Sequence, residues 1–473
     1  MIYLLLACAQ ESALKQNEQL NVKTSASRGS EITKSEEKPS SDISKSKDPV
    51  WDELQKEALN GDGGIALLAE LCDDIGHRLS GSAQLEEAVI WAQEKMKSYA
   101  FENVHAQPVL VPNWTRGEES LTLTAPKSVE LPMLGLGMSV GTSGLEAEVL
   151  VVSSFDELAQ LDPLDVKGKM ILYNAPFTTY GETVQYRTRG PSKAAEKGAV
   201  GVLVRSVGPS SLQSPHTGAT SYQDGLEIPA AAVTIETAEQ MARWQKRGKK
   251  IRVKLRMEAL LGKDAPSANV IGEIRGSERP DEVVVIGGHL DSWDVGQGAQ
   301  DDGAGVAIVM EAARLIASLD KKPKRTLRVV LFTNEENGLA GAKGYAQEYP
   351  DRDKHIAGVE ADIGGGRPAH FNYKLPEPYL YEEELLEGLS SMTDQLQGLG
   401  MDEFQAGYAG ADINPLVQRG VLGFGLRMDS SGYWPIHHTH ADTLDKIDPE
   451  NMKKNIAAMA ILSWGLLNMD LPQ

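Results

Sequence analysis

The chain has 473 residues, and its 67 acidic against 47 basic side chains give a formal charge of −20, which argues against nucleic acid or anionic lipid as its main partner. Apolar residues make up 41% and charged residues 24%, as in soluble globular domains, and the length favours two to three domains. The two cysteines, Cys8 and Cys72, exclude a disulfide framework and a cysteine-rich zinc module, so a metal site would use His and carboxylate ligands.

The first eight residues form an apolar run that ends in Leu-Leu-Ala-Cys and resembles the lipobox of bacterial lipoproteins, without its basic flank. Residues 9–48 carry nine serines and no aromatic residue, so they cannot bury enough apolar surface to fold. We expect a truncated lipoprotein-type signal over 1–8 and a disordered tether over 9–48. The protein would then be an exported cell-envelope lipoprotein, periplasmic or extracellular, with a membrane tether through lipidated Cys8. The alternative is an apolar N-terminus without significance.

From Pro49 the apolar residues follow helical spacing, and a helix of about 15 residues is predicted over 85–99. The pattern then changes. Between residues 108 and 262, short β-like runs such as 147–152 and 169–173 alternate with Gly, Pro and Ser turns. This texture predicts a separate β-rich domain over 108–262.

From Ala268 onward, apolar runs alternate with helical patterns, which indicates βαβ units and a parallel or mixed sheet covered by helices. The predicted strands and helices follow one another at 283–286, 303–319, 327–332, 339–349 and 356–361. We therefore assign residues 49–107 and 263–473 to one α/β domain, interrupted by 108–262. Open sheets of this class place reactive groups beyond the carboxyl ends of their strands.

Polar side chains follow the predicted strands at those ends. They are His289 and Asp291, then Asp301 and Asp302, then Glu335 and Glu336, then Asp362, and finally His437, His438 and His440. Taken singly, each has an ordinary alternative, such as a helix cap, a polar turn or exposed charge. Together they supply the mixed nitrogen and oxygen ligands that suit zinc. Several buried carboxylates without cations would be electrostatically prohibitive, so the sequence predicts two divalent cations.

From residue 65 to 467 the chain resembles the dinuclear zinc exopeptidases that include bacterial leucyl aminopeptidases and glutamate carboxypeptidases. The motifs that carry the resemblance are GHRLSGS at 76–82, RGEES at 116–120, PHTG at 215–218, TSYQDG at 220–225, GGHLDSWDVGQGAQDDGAG at 287–305, the paired glutamates and HHTHADT at 437–443. The resemblance implies a three-layer mixed-sheet zinc-peptidase domain at 49–107 and 263–473. It also implies that 108–262 is an inserted β-rich protease-associated domain.

The resemblance assigns a metal-binding role to five side chains. It implies that His289 and Asp362 bind one zinc ion and that Asp301 bridges both ions. Glu336 and His438 are then the ligands of the other ion. His438 is chosen over its neighbouring histidines because of its spacing from the Asp-Thr pair at 442–443.

Two further carboxylates receive catalytic roles by the same resemblance. Glu335 falls on the general base, which acts with a hydroxide that bridges the two zinc ions. Asp291 falls on the carboxylate that orients His289, since a metal-bound imidazole commonly donates its other N–H to such a group. In the family the peptide bond after the bridging aspartate is cis, so a cis bond is expected between Asp301 and Asp302.

The resemblance also points to residues of the middle region that would touch the substrate. Glutamate carboxypeptidases bind a substrate carboxylate with an arginine of the inserted domain, and Arg187 and Arg189 lie in the corresponding region. The planar guanidinium suits such binding, and a solvated surface arginine is the alternative for either residue. His216, in the turn at 215–218, is a further candidate.

The sequence thus predicts a metallo-exopeptidase with two Zn²⁺ ions, acting on dipeptides or short peptides with free termini. An aminopeptidase of broader specificity, or an amidohydrolase with the same metals, is the second interpretation. The third is a receptor-like binding protein on the same fold, against which the presence of all five ligands and the base argues. The resemblance also implies a homodimer, which no feature of the sequence itself establishes.

Overall fold

The structure is a computed structural model that describes residues 48–471 apart from 224, 350–353 and 402. The predicted signal at 1–8 and tether at 9–48 lie outside the described residues, except for Asp48. Its side chain accepts a hydrogen bond from the backbone N–H of Val50 and caps the first helix. Within the described part of the chain, none of the helices combines the length and the apolar character that crossing a membrane requires.

The described residues contain both strands and helices. The strands are β1 (Glu102–Val111), β2 (Trp114–Thr115), β3 (Glu119–Ala125), β4 (Val129–Leu131), β5 (Met133–Gly135), β6 (Thr142–Val152), β7 (Met170–Tyr173), β8 (Gly201–Arg205), β9 (Ala230–Val233), β10 (Arg252–Met257), β11 (Leu260–Leu261), β12 (Ala265–Ile274), β13 (Arg279–His289), β14 (Arg325–Phe332), β15 (His355–Ala361), β16 (Pro368–Lys374), β17 (Phe404–Ala406) and β18 (Leu422–Met428). The helices are α1 (Pro49–Asn60), α2 (Gly63–Ala69), α3 (Ala83–Ser98), α4 (Phe155–Gln160), α5 (Pro163–Val166), α6 (Tyr180–Thr183), α7 (Gln185–Thr188), α8 (Gly190–Glu196), α9 (Ile235–Lys246), α10 (Ala304–Ala317), α11 (Ala340–Glu348), α12 (Glu382–Ser390), α13 (Thr393–Gln397), α14 (Asn414–Val417) and α15 (Pro449–Asn468). Short turns of π or 3₁₀ type cover Glu70–Ile75, Ala299–Gly303 and Leu444–Lys446.

The first sheet has the strand order β1-β12-β14-β13-β15-β18-β16-β17, with a parallel centre and antiparallel neighbours. Alternate side chains of β13 point to opposite faces. Val284 and Ile286 join the apolar cluster that contains α10 and α15, whereas Val283 and Val285 join the cluster of α11 and α14. The sheet therefore lies between two layers of helices, which confirms the predicted three-layer α/β arrangement.

The middle region forms a second sheet of its own, in the order β4-β3-β10-β6-β7-β8-β9-β5. One face packs against α9 and the other against α8, each with a separate apolar cluster. All eight strands fall inside the region predicted to be β-rich. Strand β1, however, continues to Val111 in the first sheet, past the boundary that we placed between residues 107 and 108. The assignment of the two domains remains a prediction.

The parallel centre of the first sheet sets the position of the candidate site. Strand β13 ends at His289, which lies level with Phe332 at the end of β14. Strand β15 ends at Ala361, which pairs with Leu426 near the end of β18. Because parallel strands end at one edge of a sheet, the loops that follow these strands start side by side.

We expect Phe424→Ala to lower the free energy of unfolding by about 3–5 kcal/mol, because it leaves a cavity in the core. Phe424 is fully buried on β18, whereas Leu164, the matched control, is 80% exposed. Urea denaturation of both variants measures the difference. A loss in Phe424→Ala no larger than that in Leu164→Ala would contradict the packing described for β18.

Candidate metal centre

Asp301 lies between two imidazole rings that come from distant parts of the chain. Its Oδ1 is 3.2 Å from Nε2 of His289, and its Oδ2 is 3.1 Å from Nε2 of His438. All three side chains are buried. The peptide bond from Asp301 to Asp302 is cis, as the resemblance implied. One carboxylate thus faces two nitrogen ligands, the arrangement that a bridging ligand requires.

Each imidazole also faces a second carboxylate. Oδ1 of Asp362 is 3.4 Å from Nε2 of His289, and Oε2 of Glu336 is 3.0 Å from Nε2 of His438. Three overlapping groups of described residues are spaced so that each could hold one ion: His289, Asp301 and Glu336; His289, Asp302 and Asp362; and Asp301, His437 and His438. The other oxygen of Glu336, Oε1, is buried without a hydrogen-bond partner. The five predicted ligands therefore converge, and the donor set with its unpartnered oxygen fits metal cations.

The pKa values in this crevice reflect an excess of buried negative charge. Burial disfavours a charged imidazole, but hydrogen bonds to Asp301 and Asp362 outweigh burial and raise the pKa of His289 well above its ordinary value. In the same way, Glu336 and Asp301 overcome burial and raise the pKa of His438 to about 9. Protons on the imidazoles therefore balance the carboxylates, and bound cations would displace them.

Glu335 and Asp291 support the centre from one side. Burial raises the pKa of the half-buried Glu335 carboxyl well above its ordinary value. Nδ1 of His289 lies 3.0 Å from the backbone carbonyl of Asp291 and 3.7 Å from its carboxylate, so the carbonyl is the nearer of the two acceptors. The carboxylate instead accepts the N–H groups of Glu335 and Glu336, at 3.0 and 3.3 Å. Asp291 thereby fixes the loop that carries both glutamates.

The neighbouring histidines are less well placed than His438. Nε2 of His437 is 3.5 Å from Oδ2 of Asp301, and its ring stacks on that of His438 with 3.5 Å between centroids. His440 is exposed. Among the three, His438 lies nearest to both Asp301 and Glu336.

The three candidate substrate residues differ in their surroundings. Arg187 is buried, and its Nη1 lies 3.3 Å from Nδ1 of His438, next to the centre. Arg189 donates to Gln185 on the preceding helix. His216 is buried, with its ring packed against Gly208, where an added Cβ would lie 2.6 Å from Cε1 of the imidazole.

Two carboxylates of the site had no assigned role in the sequence analysis. Asp302 accepts the backbone N–H of His289 at 3.1 Å, and Asp442 accepts those of Gln300 and Asp301 at 2.7 and 3.2 Å. Burial raises the pKa of Asp442 to about 7. Asp302 belongs to the motif at 287–305 and Asp442 to the motif at 437–443. Their closeness in sequence to predicted ligands could have indicated a role in the site.

Arg78 is a further residue of the site without a predicted role, and it is fully buried. Its guanidinium donates to the backbone carbonyls of Leu290, Gln297 and Gly298, at 2.7, 2.8 and 3.0 Å. These carbonyls line the loop that joins His289 to Asp301. The GHRLSGS motif therefore fixes the path of the chain between two ligands.

We expect the buried neutral imidazole of His216 to weaken folding in acid. Burial lowers the pKa of His216 from 6.5 to about 3. Between these values the imidazole binds a proton in the unfolded chain but not in the folded chain. This residue should lower the free energy of unfolding by up to about 1.4 kcal/mol per pH unit between those values. Urea denaturation across pH 4–7 should give a shallower slope for His216→Gln, and parallel curves would contradict the prediction.

Known proteins resemble this chain in sequence and in structure. A model of peptidase family M28 matches residues 269–463. Carboxypeptidase Q from Bos taurus is 43% identical over 407 residues, which cover 85% of each chain. The crystal structure of a peptidase M28 precursor from Shewanella amazonensis SB2B superposes with a TM-score of 0.85 at 36% identity, over 89% of this chain and 97% of that one. BSAP, a zinc aminopeptidase from Bacillus subtilis, shares the fold, with a TM-score of 0.63 at 18% identity over 85% of this chain and 94% of that chain.

Proposed function

The chain belongs to peptidase family M28, and we propose that it hydrolyses dipeptides or short peptides with free termini, using two zinc ions and Glu335 as general base. The family assignment confirms the resemblance drawn from the motifs. One observation carries the proposal: the oxygens of Asp301 face two imidazoles, and each imidazole faces a further carboxylate. A bridging aspartate with paired nitrogen and oxygen ligands is what a dinuclear hydrolase needs.

In this proposal His289 and Asp362 hold one ion, Glu336 and His438 hold the other, and Asp301 is shared. The short distances from Asp362 to His289 and from Glu336 to His438 support this division. Zinc in such a site lowers the pKa of water and polarises a carbonyl oxygen.

Glu335 takes the proton of the attacking water and delivers it to the leaving amine. Its backbone N–H donates to Asp291, which fixes the start of the loop that carries the glutamate. Metal cations would also lower its raised pKa, since they offset the nearby negative charge.

Arg187 is the best supported of the candidate substrate residues. Its guanidinium lies beside His438, and its Nε is buried without a hydrogen-bond partner. A substrate carboxylate would satisfy that N–H. The contacts of Arg189 and His216 give less support for such a role.

We also propose that 108–262 is a protease-associated domain, that Cys8 is lipidated and tethers an exported protein to the cell envelope, and that the chain forms a homodimer. The separate sheet of the middle region supports the first of these. The composition of residues 1–48 supports the second.

We expect Glu335→Gln to reduce kcat for dipeptide hydrolysis by about 10²- to 10⁴-fold while the zinc content stays at two ions per chain, because the base is not a ligand. Initial rates together with elemental analysis test both parts. Normal turnover in this variant would remove Glu335 from the mechanism.

Glu336→Ala and His438→Ala should each lose one zinc ion, because each removes a ligand from the same position. His440→Ala is the matched control, since His440 is exposed in the same turn. Zinc is measured after dialysis against a weak chelator. Full occupancy in either ligand variant would mean that another side chain binds the metal.

Zinc content and peptide cleavage, measured on the purified protein, also distinguish the alternative functions. A purified wild-type chain that holds no zinc and releases no amino acid would favour a binding protein. A dipeptide library with blocked and free ends distinguishes the rest, since an aminopeptidase cleaves substrates with a blocked C-terminus and a carboxypeptidase cleaves those with a blocked N-terminus.

A further inference from the structure

Thr217, in the middle region, contacts the metal-ligand candidate His438 through its backbone on both sides. The N–H of Thr217 donates to the carbonyl of His438 at 2.9 Å, and Nδ1 of His438 lies 3.3 Å from the carbonyl of Thr217. Both residues are buried. A loop that lies between β8 and β9 of the second sheet therefore reaches the turn that carries a ligand.

The carbonyl of Thr217 selects the tautomer of His438 that can bind a metal. Nε2 of His438 faces Glu336 and Asp301, so a neutral ring that binds through Nε2 carries its proton on Nδ1. That N–H faces the carbonyl of Thr217, which also accepts Nη1 of Arg187 at 3.1 Å. Because a guanidinium can only donate, Nη1 of Arg187 lies 3.3 Å from Nδ1 without a hydrogen bond to it in this tautomer. Metal-bound imidazoles usually donate their second N–H to such an acceptor, which fixes ring orientation and raises basicity.

The two candidate metal positions differ in this respect. His289 finds the acceptor for its Nδ1 two residues away, at the carbonyl of Asp291. His438 finds its acceptor 221 positions away, in the other sheet region. A change in the middle region should therefore reach the metal position of His438 and leave that of His289 intact.

Arg116 holds Thr217 against the loop that follows β13. Its Nη2 donates to Oγ1 of Thr217 at 3.3 Å, and its Nη1 donates to the carbonyl of Gly135 at 2.6 Å. Oγ1 of Thr217 in turn donates to the same carbonyl at 2.7 Å. Nε and Nη2 of Arg116 form a two-pronged pair with Asp294, at 2.8 and 2.5 Å. The side chains of Arg116 and Asp294 are only 11% and 15% exposed, so water cannot easily replace either partner.

Packing at Trp293 joins the same segments independently of the ion pair. The indole lies so close to Gly137 that an added Cβ there would be 2.0 Å from Cη2 of the ring. On its other side, the centroid of the indole is 5.6 Å from that of the His438 ring. Trp293 therefore fills the space between the second sheet and the ligand.

We infer that Arg116 is a positioning residue for one of the two metal positions: through Thr217 it sets the orientation of His438, while His289 is oriented within its own loop. The inference rests on the proposed function, because it assumes two zinc ions. It gives the RGEES and PHTG motifs a shared role, since Arg116 belongs to the first and Thr217 to the second.

The test compares zinc release from the wild-type chain and from Arg116→Met into an excess of a chromogenic chelator. Two ions should leave the wild-type chain. In the variant, one ion should leave about tenfold faster or more and the other at the wild-type rate, because the loss of a partner behind a ligand weakens metal affinity by that order. Arg256→Met is the matched control: it removes an arginine of β10 that is 46% exposed and pairs with Glu118 and Glu258.

Equal acceleration of both ions, or wild-type release of both from a folded Arg116→Met, would overturn the inference. Wild-type protein that binds fewer than two zinc ions would contradict the proposed function itself, and the inference with it. Thr217→Val keeps the shape of the side chain and removes the hydrogen bonds of Oγ1. If Arg116→Met fails to fold, the inference requires that Thr217→Val speeds the release of one zinc ion and leaves the release rate of the other unchanged.

Discussion

The candidate site depends on the position of one carboxylate, that of Asp301. Its oxygens face imidazoles from two distant segments, and its backbone N–H is held by Asp442. A buried carboxylate among other acids has lost most of its hydration, so positive charge must be provided inside the crevice. Imidazolium groups provide that charge in the metal-free chain, and zinc would provide it in the working enzyme. Cations are therefore needed because the ends of the parallel strands bring several acidic side chains together.

The loops around the crevice are held mainly by side chains that bond to backbone atoms. The guanidinium of Arg78 donates to backbone carbonyls in all its described contacts, and Asp291 accepts two successive N–H groups at the start of the next loop. Such bonds fix glycine-rich segments that have few side chains of their own to pack. The guanidinium also places a permanent positive charge beneath the acids, which lowers the electrostatic cost of gathering them.

Several strands of the first sheet and the polar residues that follow them could be predicted, because their sequence pattern is local. The runs at 283–286, 327–332 and 356–361 each lie inside an observed strand, and the polar residues after them meet because parallel strands share an edge. Contacts made by backbone carbonyls could not be predicted, since a carbonyl leaves no trace in the residue type. The sequence therefore did not predict the contact of His289 with the backbone carbonyl of Asp291. It did not predict the contact of His438 with the carbonyl of Thr217 either.

The order of these parts along the chain has a consequence for biosynthesis. Arg78, Arg116 and Thr217 all precede His289, the first of the five ligands, and His438 is the last. A nascent polypeptide leaves the ribosome from its N-terminus, so these three side chains emerge before the ligands that they help to position. The donors proposed for the His289 position are complete once Asp362 has been translated, whereas the other position stays incomplete until His438, its last donor, has been added.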